Sequence, residues 1–136
     1  MTNVLTYGTF DLFHYGHERI LTRANEMCNN LFVGVSTDSF NMEKGKTSCN
    51  KFSTRANDVR LHVPNAHVFP ENSFQQKVID VKRFNIDLFV MGDDWRGKFD
   101  WLKDICEVKY LPRTVGISTT LLKARLANSQ QEKLII

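Results

Sequence analysis

Tyr7-Gly8-Thr9-Phe10-Asp11-Leu12-Phe13-His14-Tyr15-Gly16-His17 lies between an apolar run, Val4 to Tyr7, and a helix-like run, His17 to Asn29. Read together, these form a strand-to-helix junction holding two histidines and two glycines. Free backbone N–H groups and the positive end of a helix dipole converge at such a junction, which makes it a natural anion site. Gly16 lets backbone approach a ligand closely, and the imidazoles of His14 and His17 add donors that can carry charge. The implied chemistry is the handling of a phosphate chain.

Working outward, strand and helix signals alternate. Val4 to Tyr7 reads as a strand, and Glu18 to Asn29 as a helix with Ile20, Leu21, Ala24 and Met27 on one side. Leu31 to Val35 is apolar almost throughout, as a strand covered on both faces should be. Met42 to Lys51 is polar, carries Gly45 and reads as a loop. A helix from Ser53 to about Leu61 follows, with Ser53 as its N-cap and Pro64 ending it. His67 to Phe69 is a short strand. Ser73 to Phe84 reads as a helix capped by Ser73, with Phe74, Val78, Val81 and Phe84 on its apolar side. Ile86 to Met91 and Val108 to Leu111 read as strands, and Ser118 to Ala127 as a closing helix. The expectation is an α/β fold: a Rossmann-like, doubly wound parallel sheet of about five strands in a single domain. That domain spans residues 1–127, and 128–136 form a polar C-terminal tail.

Composition narrows the function classes. The 136 residues are 42% hydrophobic and 24% charged, ordinary values for a globular domain. A net charge of +3, from 18 basic and 15 acidic residues, suits a small anionic substrate. It is too weak for a nucleic-acid partner, which calls for a clustered basic face. No apolar run reaches membrane-spanning length, and Thr6, Tyr7 and Gly8 interrupt the apolar core a signal peptide would need. The three cysteines, Cys28, Cys49 and Cys106, are odd in number and far apart, which fits a reduced, cytoplasmic setting.

Three further segments fall at strand ends or in loops. Arg113-Thr114-Val115-Gly116-Ile117-Ser118-Thr119-Thr120 sets an arginine and a glycine before a hydroxyl-rich helix start. Such hydroxyls are often only caps. Behind a strand, and with a forked guanidinium, they also suit a second phosphate site. Lys44-Gly45-Lys46 is either solvated surface or part of a loop that closes over a triphosphate. Gly92-Asp93-Asp94-Trp95 is either turn chemistry or a contact to a sugar or base. A zinc site at His14 and His17 lacks a third ligand at any recognisable spacing. Neither the G-x-G-x-x-G fingerprint nor the G-x-x-x-x-G-K-[ST] loop occurs.

Together, Tyr7 to His17, the lysine pair, Val90 to Trp95 and Arg113 to Thr120 resemble the small bacterial glycerol-3-phosphate cytidylyltransferases. That family lies within the H-x-G-H nucleotidyltransferase superfamily, and the likeness runs from Asn3 to about Leu126. H-x-G-H alone marks the superfamily, whereas R-T-x-G-I-S-T-T with G-D-D-W points to the cytidylyl branch. The resemblance implies that CTP and an alcohol phosphate give a CDP-alcohol and pyrophosphate, supplying teichoic-acid or capsule-type polymers. It implies that His14 and His17 hold the triphosphate and steady the transition state. Lys44 and Lys46 would contact phosphates. Arg113, Thr114, Ser118 and Thr119 would bind the nucleotide, with Thr9, Phe10 and Gly16 beside it and Asp94 defining the nucleoside pocket. Asp11, Arg55 and Lys77 are expected on the acceptor or its phosphate. Mg²⁺, or another divalent cation, would ride on the triphosphate without direct side-chain ligation, in a homodimer. The chain departs from the family pattern at Val63, Pro64 and Ala66, just before His67, and has Phe74 where tryptophan is common. These changes leave the acceptor open among glycerol 3-phosphate, glycerol 2-phosphate, phosphoethanolamine and other small alcohol phosphates. An adenylyl-transferring relative and a catalytically silent nucleotide-binding module are the remaining alternatives.

Overall fold

A computed structural model describes residues 2–112, Thr119 and 122–127. Five strands, β1 (Asn3–Gly8), β2 (Asn30–Ser36), β3 (His67–Glu71), β4 (Leu88–Gly92) and β5 (Glu107–Leu111), form one sheet in the order β3-β2-β1-β4-β5. Every pairing is parallel. The helices are α1 (Tyr15–Glu26), α2 (Asp38–Glu43), α3 (Phe52–His62) and α4 (Gln76–Arg83). Short 3-10 turns follow at Asp93–Trp95 and Asp100–Asp104, and residues 122–127 are helical. The chain winds outward from β1 to β3, then returns to β4 on the other side of β1. The crevice at that reversal, beyond the carboxyl ends of the strands, is where a ligand belongs in such a sheet.

Alternation along the strands splits the core into two layers. Val4, Leu31, Val33, Val35 and Val90 face one way, against Leu21 and Ala24 of α1 and Ala56 and Val59 of α3. Leu5, Tyr7, Phe89 and Met91 face the other way, against Val81 of α4 and Leu102. Val63 is buried in the first layer and Ala66 packs against it, so two positions that depart from the family pattern serve here as apolar core.

The element boundaries correct several expectations. The first helix begins at Tyr15, before Glu18, because His14 caps it. It stops before Asn29, whose N–H is drawn to Thr2 O at 2.9 Å. Part of the expected 42–51 loop is helical: α2 is short, but Thr37 Oγ1 caps it by accepting from Phe40 N–H at 3.1 Å. Ser53 is not a cap. Lys51 holds that position without a side-chain bond, and Asp38 of α2 accepts from Phe52 N–H at 3.2 Å instead. Ser73 is not a cap either; α4 starts later, and Gln76 Oε1 takes Asn72 N–H while its Nε2 donates to Pro70 O. The fourth strand starts at Leu88, after Ile86, because α4 ends in a Schellman motif. Asn85 takes φ 50°, Ile86 N–H reaches Val81 O at 2.9 Å and Asn85 N–H reaches Lys82 O at 3.3 Å. The tail at 128–136, and most of the helix expected from Ser118, lie outside the described residues.

One close approach pins the second layer. Gly34 is in register with Tyr7 on one side and Phe69 on the other. The two rings meet edge to face across it, with centroids 6.1 Å apart. A Cβ at Gly34 would run into the Tyr7 ring. From there the Tyr7 hydroxyl donates to the buried Asp80 carboxylate of α4 at 2.6 Å. Gly34→Ala is therefore expected to lower unfolding free energy by about 1–3 kcal/mol, the usual cost of overpacking a core. Urea denaturation measures it, and an unchanged midpoint would contradict this packing.

Candidate functional site

The β1–α1 segment is built around two reciprocal bonds. His14 Nδ1 accepts from Gly16 N–H at 3.0 Å, and His17 Nδ1 accepts from His14 N–H at 3.2 Å. Two imidazoles thus play the parts that Ser and Glu play in an ordinary capping box. A backbone N–H only donates, so both Nδ1 atoms are acceptors and the rings carry their protons on Nε2. His14 Nε2 lies 3.4 Å from Thr119 Oγ1, and that hydroxyl donates to Asp11 O at 3.0 Å. Two of the helix-start N–H groups expected to meet an anion are therefore already satisfied. The imidazole edges present N–H donors in their place.

Both imidazoles are held neutral, so of the two forms open to them they meet a ligand as uncharged donors. Burial, then the neighbouring His14 ring, pushes His17 down to about 3, with Asp11 opposing. Burial lowers His14 as well, against Glu18. The rings stack with centroids 3.8 Å apart, and Phe13 packs on His17 at 5.5 Å.

Asp11 and Arg55 hold this segment in place. The Asp11 side chain is buried and accepts from Cys49 N–H at 2.7 Å and Asn50 N–H at 2.9 Å. Lys123 stands 3.5 Å from it and also donates to Thr47 O at 2.8 Å. Burial raises the Asp11 carboxyl, but the Asn50 and Cys49 bonds and then Lys123 more than offset this, leaving it below the usual range. Arg55, fully buried, donates to Thr9 O, Ser36 O, Asn50 O and Asp38 Oδ1 at 2.7 to 2.9 Å. The expectation that Arg55 contacts an anionic substrate is corrected: its guanidinium is spent on the scaffold. Asp11 also lines the cavity described below, but its carboxylate is bonded to the neighbouring loop and paired with the Lys123 ammonium. Between Thr9 and Phe13 the backbone is strained, with Phe10 at φ 55° and Leu12 at φ 49°.

These elements enclose a cavity of about 570 Å³, lined at one end by His14, His17 and Ile20 and at the other by Lys44, Glu71 and Lys77. Thr9, Phe10, Gly16, Lys46, Asp94 and Thr119 also line it. Arg113, Thr114 and Ser118 lie outside the described residues. Lys46 reaches to 5.7 Å over the Trp95 ring. Burial, opposed by Glu71 and helped by Lys46, Lys77 and Arg55, lowers Lys44 to about 8. Sequence reasoning missed Ser36 and Glu71. Ser36 Oγ accepts from Lys44 Nζ at 3.1 Å and donates to Glu71 Oε1 at 3.0 Å, while Lys77 Nζ donates to Glu71 Oε2 at 2.7 Å. No motif marked them; only their positions at the ends of β2 and β3 could have done so.

Residues 5–125 match the model of a family described as cytidylyltransferase-like. The chain belongs to that cytidylyltransferase-like family. Glycerol-3-phosphate cytidylyltransferase of Bacillus spizizenii is 50% identical over 128 residues, covering 94% of this chain and 99% of that one. The enzyme of the same name from Staphylococcus aureus is 50% identical over 126 residues, covering 93% and 96%. In fold, the chain is similar to a lipopolysaccharide core biosynthesis protein from Thermoplasma volcanium. The TM-score is 0.68 at 22% identity, over 84% of this chain and 97% of that one. This cytidylyltransferase-like chain thus combines the expected sheet with a cavity at its point of reversal.

Acid should unfold the protein in two stages. A histidine held neutral in the fold protonates in the unfolded chain near 6.5, so its stabilisation is whole above that pH and is lost toward about 3. Asp11, lowered from 3.8, contributes stability above that value and loses it as pH falls through its folded value. Thermal melting from pH 7 to 4 is expected to show a falling Tm whose slope flattens in His17→Gln. An equal slope in both proteins would contradict the neutral imidazole.

Proposed function

We propose that this protein transfers the cytidylyl group of CTP to glycerol 3-phosphate, giving CDP-glycerol and pyrophosphate. The observation that carries this reading is the reciprocal imidazole cap, which aligns two Nε2–H donors on a cavity that also holds lysines. The 50% identity to glycerol-3-phosphate cytidylyltransferases over nearly the full length of both chains supports the choice of substrates.

In the proposed reaction an acceptor phosphate oxygen attacks the α-phosphorus of CTP. The bond from that phosphorus to the bridging oxygen breaks, and pyrophosphate carries away the electron pair. The nucleophile is already anionic, so positioning and charge stabilisation supply the catalysis. His14 and His17, neutral and fixed in tautomer, donate to phosphoryl oxygens as charge builds there. Lys44 and Lys46 supply positive charge along the phosphates, and Lys77 faces the acceptor. Asp94 borders the nucleoside, and Arg113, Thr114, Ser118 and Thr119 complete the nucleotide site. Thr9, Phe10 and Gly16 shape its wall.

Among the described residues no group of three His, Cys, Asp or Glu side chains is arranged to hold a metal ion. The donors facing the cavity suit phosphate oxygens, so the triphosphate itself would hold Mg²⁺. The cation would offset triphosphate charge. A homodimer in the cytoplasm, feeding teichoic-acid or capsule-type polymer synthesis, completes the proposal. Among the described residues no helix is long and apolar enough to cross a membrane.

Pyrophosphate release from CTP, glycerol 3-phosphate and Mg²⁺ tests the reaction. Turnover is expected for the wild type, with a loss of about a hundredfold or more in kcat for His17→Ala, whose melting curve reports that it folds. No release at millimolar substrates would reject the reaction, and near-normal activity in the variant would reject the role of His17.

A further inference from the structure

One end of the cavity is built for more than phosphate. At the carboxyl ends of β2 and β3, Glu71 and Lys77 are 2% and 4% exposed, yet both line the cavity. Lys77 Nζ bonds Glu71 Oε2 at 2.7 Å and faces the rings of Tyr7, Phe74 and Phe99, with centroids at 4.8, 5.2 and 5.6 Å. Ser36 holds Glu71 Oε1 at 3.0 Å, and Lys44 in turn holds Ser36 at 3.1 Å.

A carboxylate has the wrong sign for a cavity that takes phosphorylated substrates. Flanked by Lys44 and Lys77, it sits in a cluster with one net positive charge, two ammoniums against one carboxylate. That cluster repels a cationic ligand group. A carboxylate offers about four lone-pair sites, and Ser36 and Lys77 occupy two. The remaining acceptor capacity calls for neutral donors, and hydroxyl groups fit. Glu71 itself is buried, which strengthens such bonds and makes an unfilled acceptor costly.

We propose that Glu71, oriented by Ser36 and Lys77, is the specificity-determining residue that accepts hydrogen bonds from acceptor hydroxyls. It thereby selects a polyol phosphate over an aminoalkyl or deoxy analogue. This deepens the transferase reading and rests on it. Phosphate contact falls to Lys44 and its neighbours, and the hydroxyl-bearing carbons lie against Glu71 and Phe74.

The test is steady-state kinetics with glycerol 3-phosphate, 3-hydroxypropyl phosphate (which lacks the middle hydroxyl) and phosphoethanolamine. It compares wild type, Glu71→Gln and Ser36→Ala, with CTP affinity measured by calorimetry for each. The wild type should favour glycerol 3-phosphate by about a hundredfold or more in kcat/KM, because a site built to bond a hydroxyl rejects analogues without it. Glu71→Gln should raise KM for glycerol 3-phosphate by about tenfold or more, raise it by less for 3-hydroxypropyl phosphate, which keeps one hydroxyl, and leave CTP affinity nearly unchanged. Equal loss on both acceptors, or a wild-type preference for phosphoethanolamine, would overturn the proposal. If Glu71→Gln fails to bind CTP, Ser36→Ala decides: selective loss on glycerol 3-phosphate supports the proposal and uniform loss overturns it. Turnover of all three acceptors alike rejects this proposal alone. Turnover of none, with CTP bound, rejects the transferase reading and this proposal with it.

Discussion

The buried Asp11 carboxylate is the constraint on which the site depends. It takes the N–H groups of Cys49 and Asn50 and the ammonium of Lys123, while its own backbone oxygen takes the Thr119 hydroxyl. Three segments far apart in the chain thereby meet at one residue. A buried carboxylate without such partners would be driven to protonate. With them it stays ionised and fixes the spacing between the imidazoles and the lysine loop. Arg55 acts from the other side, joining Thr9, Ser36, Asn50 and Asp38. Losing it would strand several carbonyls, each at about 1–3 kcal/mol.

Charge in the cavity is divided by position. At the helix start the imidazoles are neutral donors with fixed tautomers. They therefore offer directed hydrogen bonds without repelling one another, though their rings are 3.8 Å apart. Formal positive charge comes from lysines on the opposite side. Preorganised neutral donors near the reacting phosphorus, with cations along the phosphates, match a reaction whose charge grows on phosphoryl oxygens. The strained φ angles of Phe10 and Leu12 accompany this arrangement: the backbone must turn sharply for His14 to cap α1.

Much of the fold was legible because strand burial and helix periodicity are local signals. Leu31 to Val35 announces a central strand by composition alone, and Tyr7 to His17 announces the junction by its glycines and histidines. Features closed by distant partners were not legible. Ser53 and Ser73 carry the chemistry of caps, yet Asp38 and Gln76 took over the backbone groups nearby. Arg55 and Asp11 carry charges that suit a substrate, and only the folded chain reveals that backbone groups consume them. Ser36 and Glu71 end two strands without any motif, so their entry into the cavity follows from parallel register alone.

Hydrogen exchange on the free protein, comparing wild type with Asp11→Asn, measures the central claim most directly. The amides of Cys49 and Asn50 should be protected in the wild type before any substrate binds. In Asp11→Asn that protection should collapse, while the amides of β1 and β2 exchange as before. Unchanged protection at Cys49 and Asn50 in the variant would contradict the account, because the lysine loop would then owe its position to something other than this carboxylate.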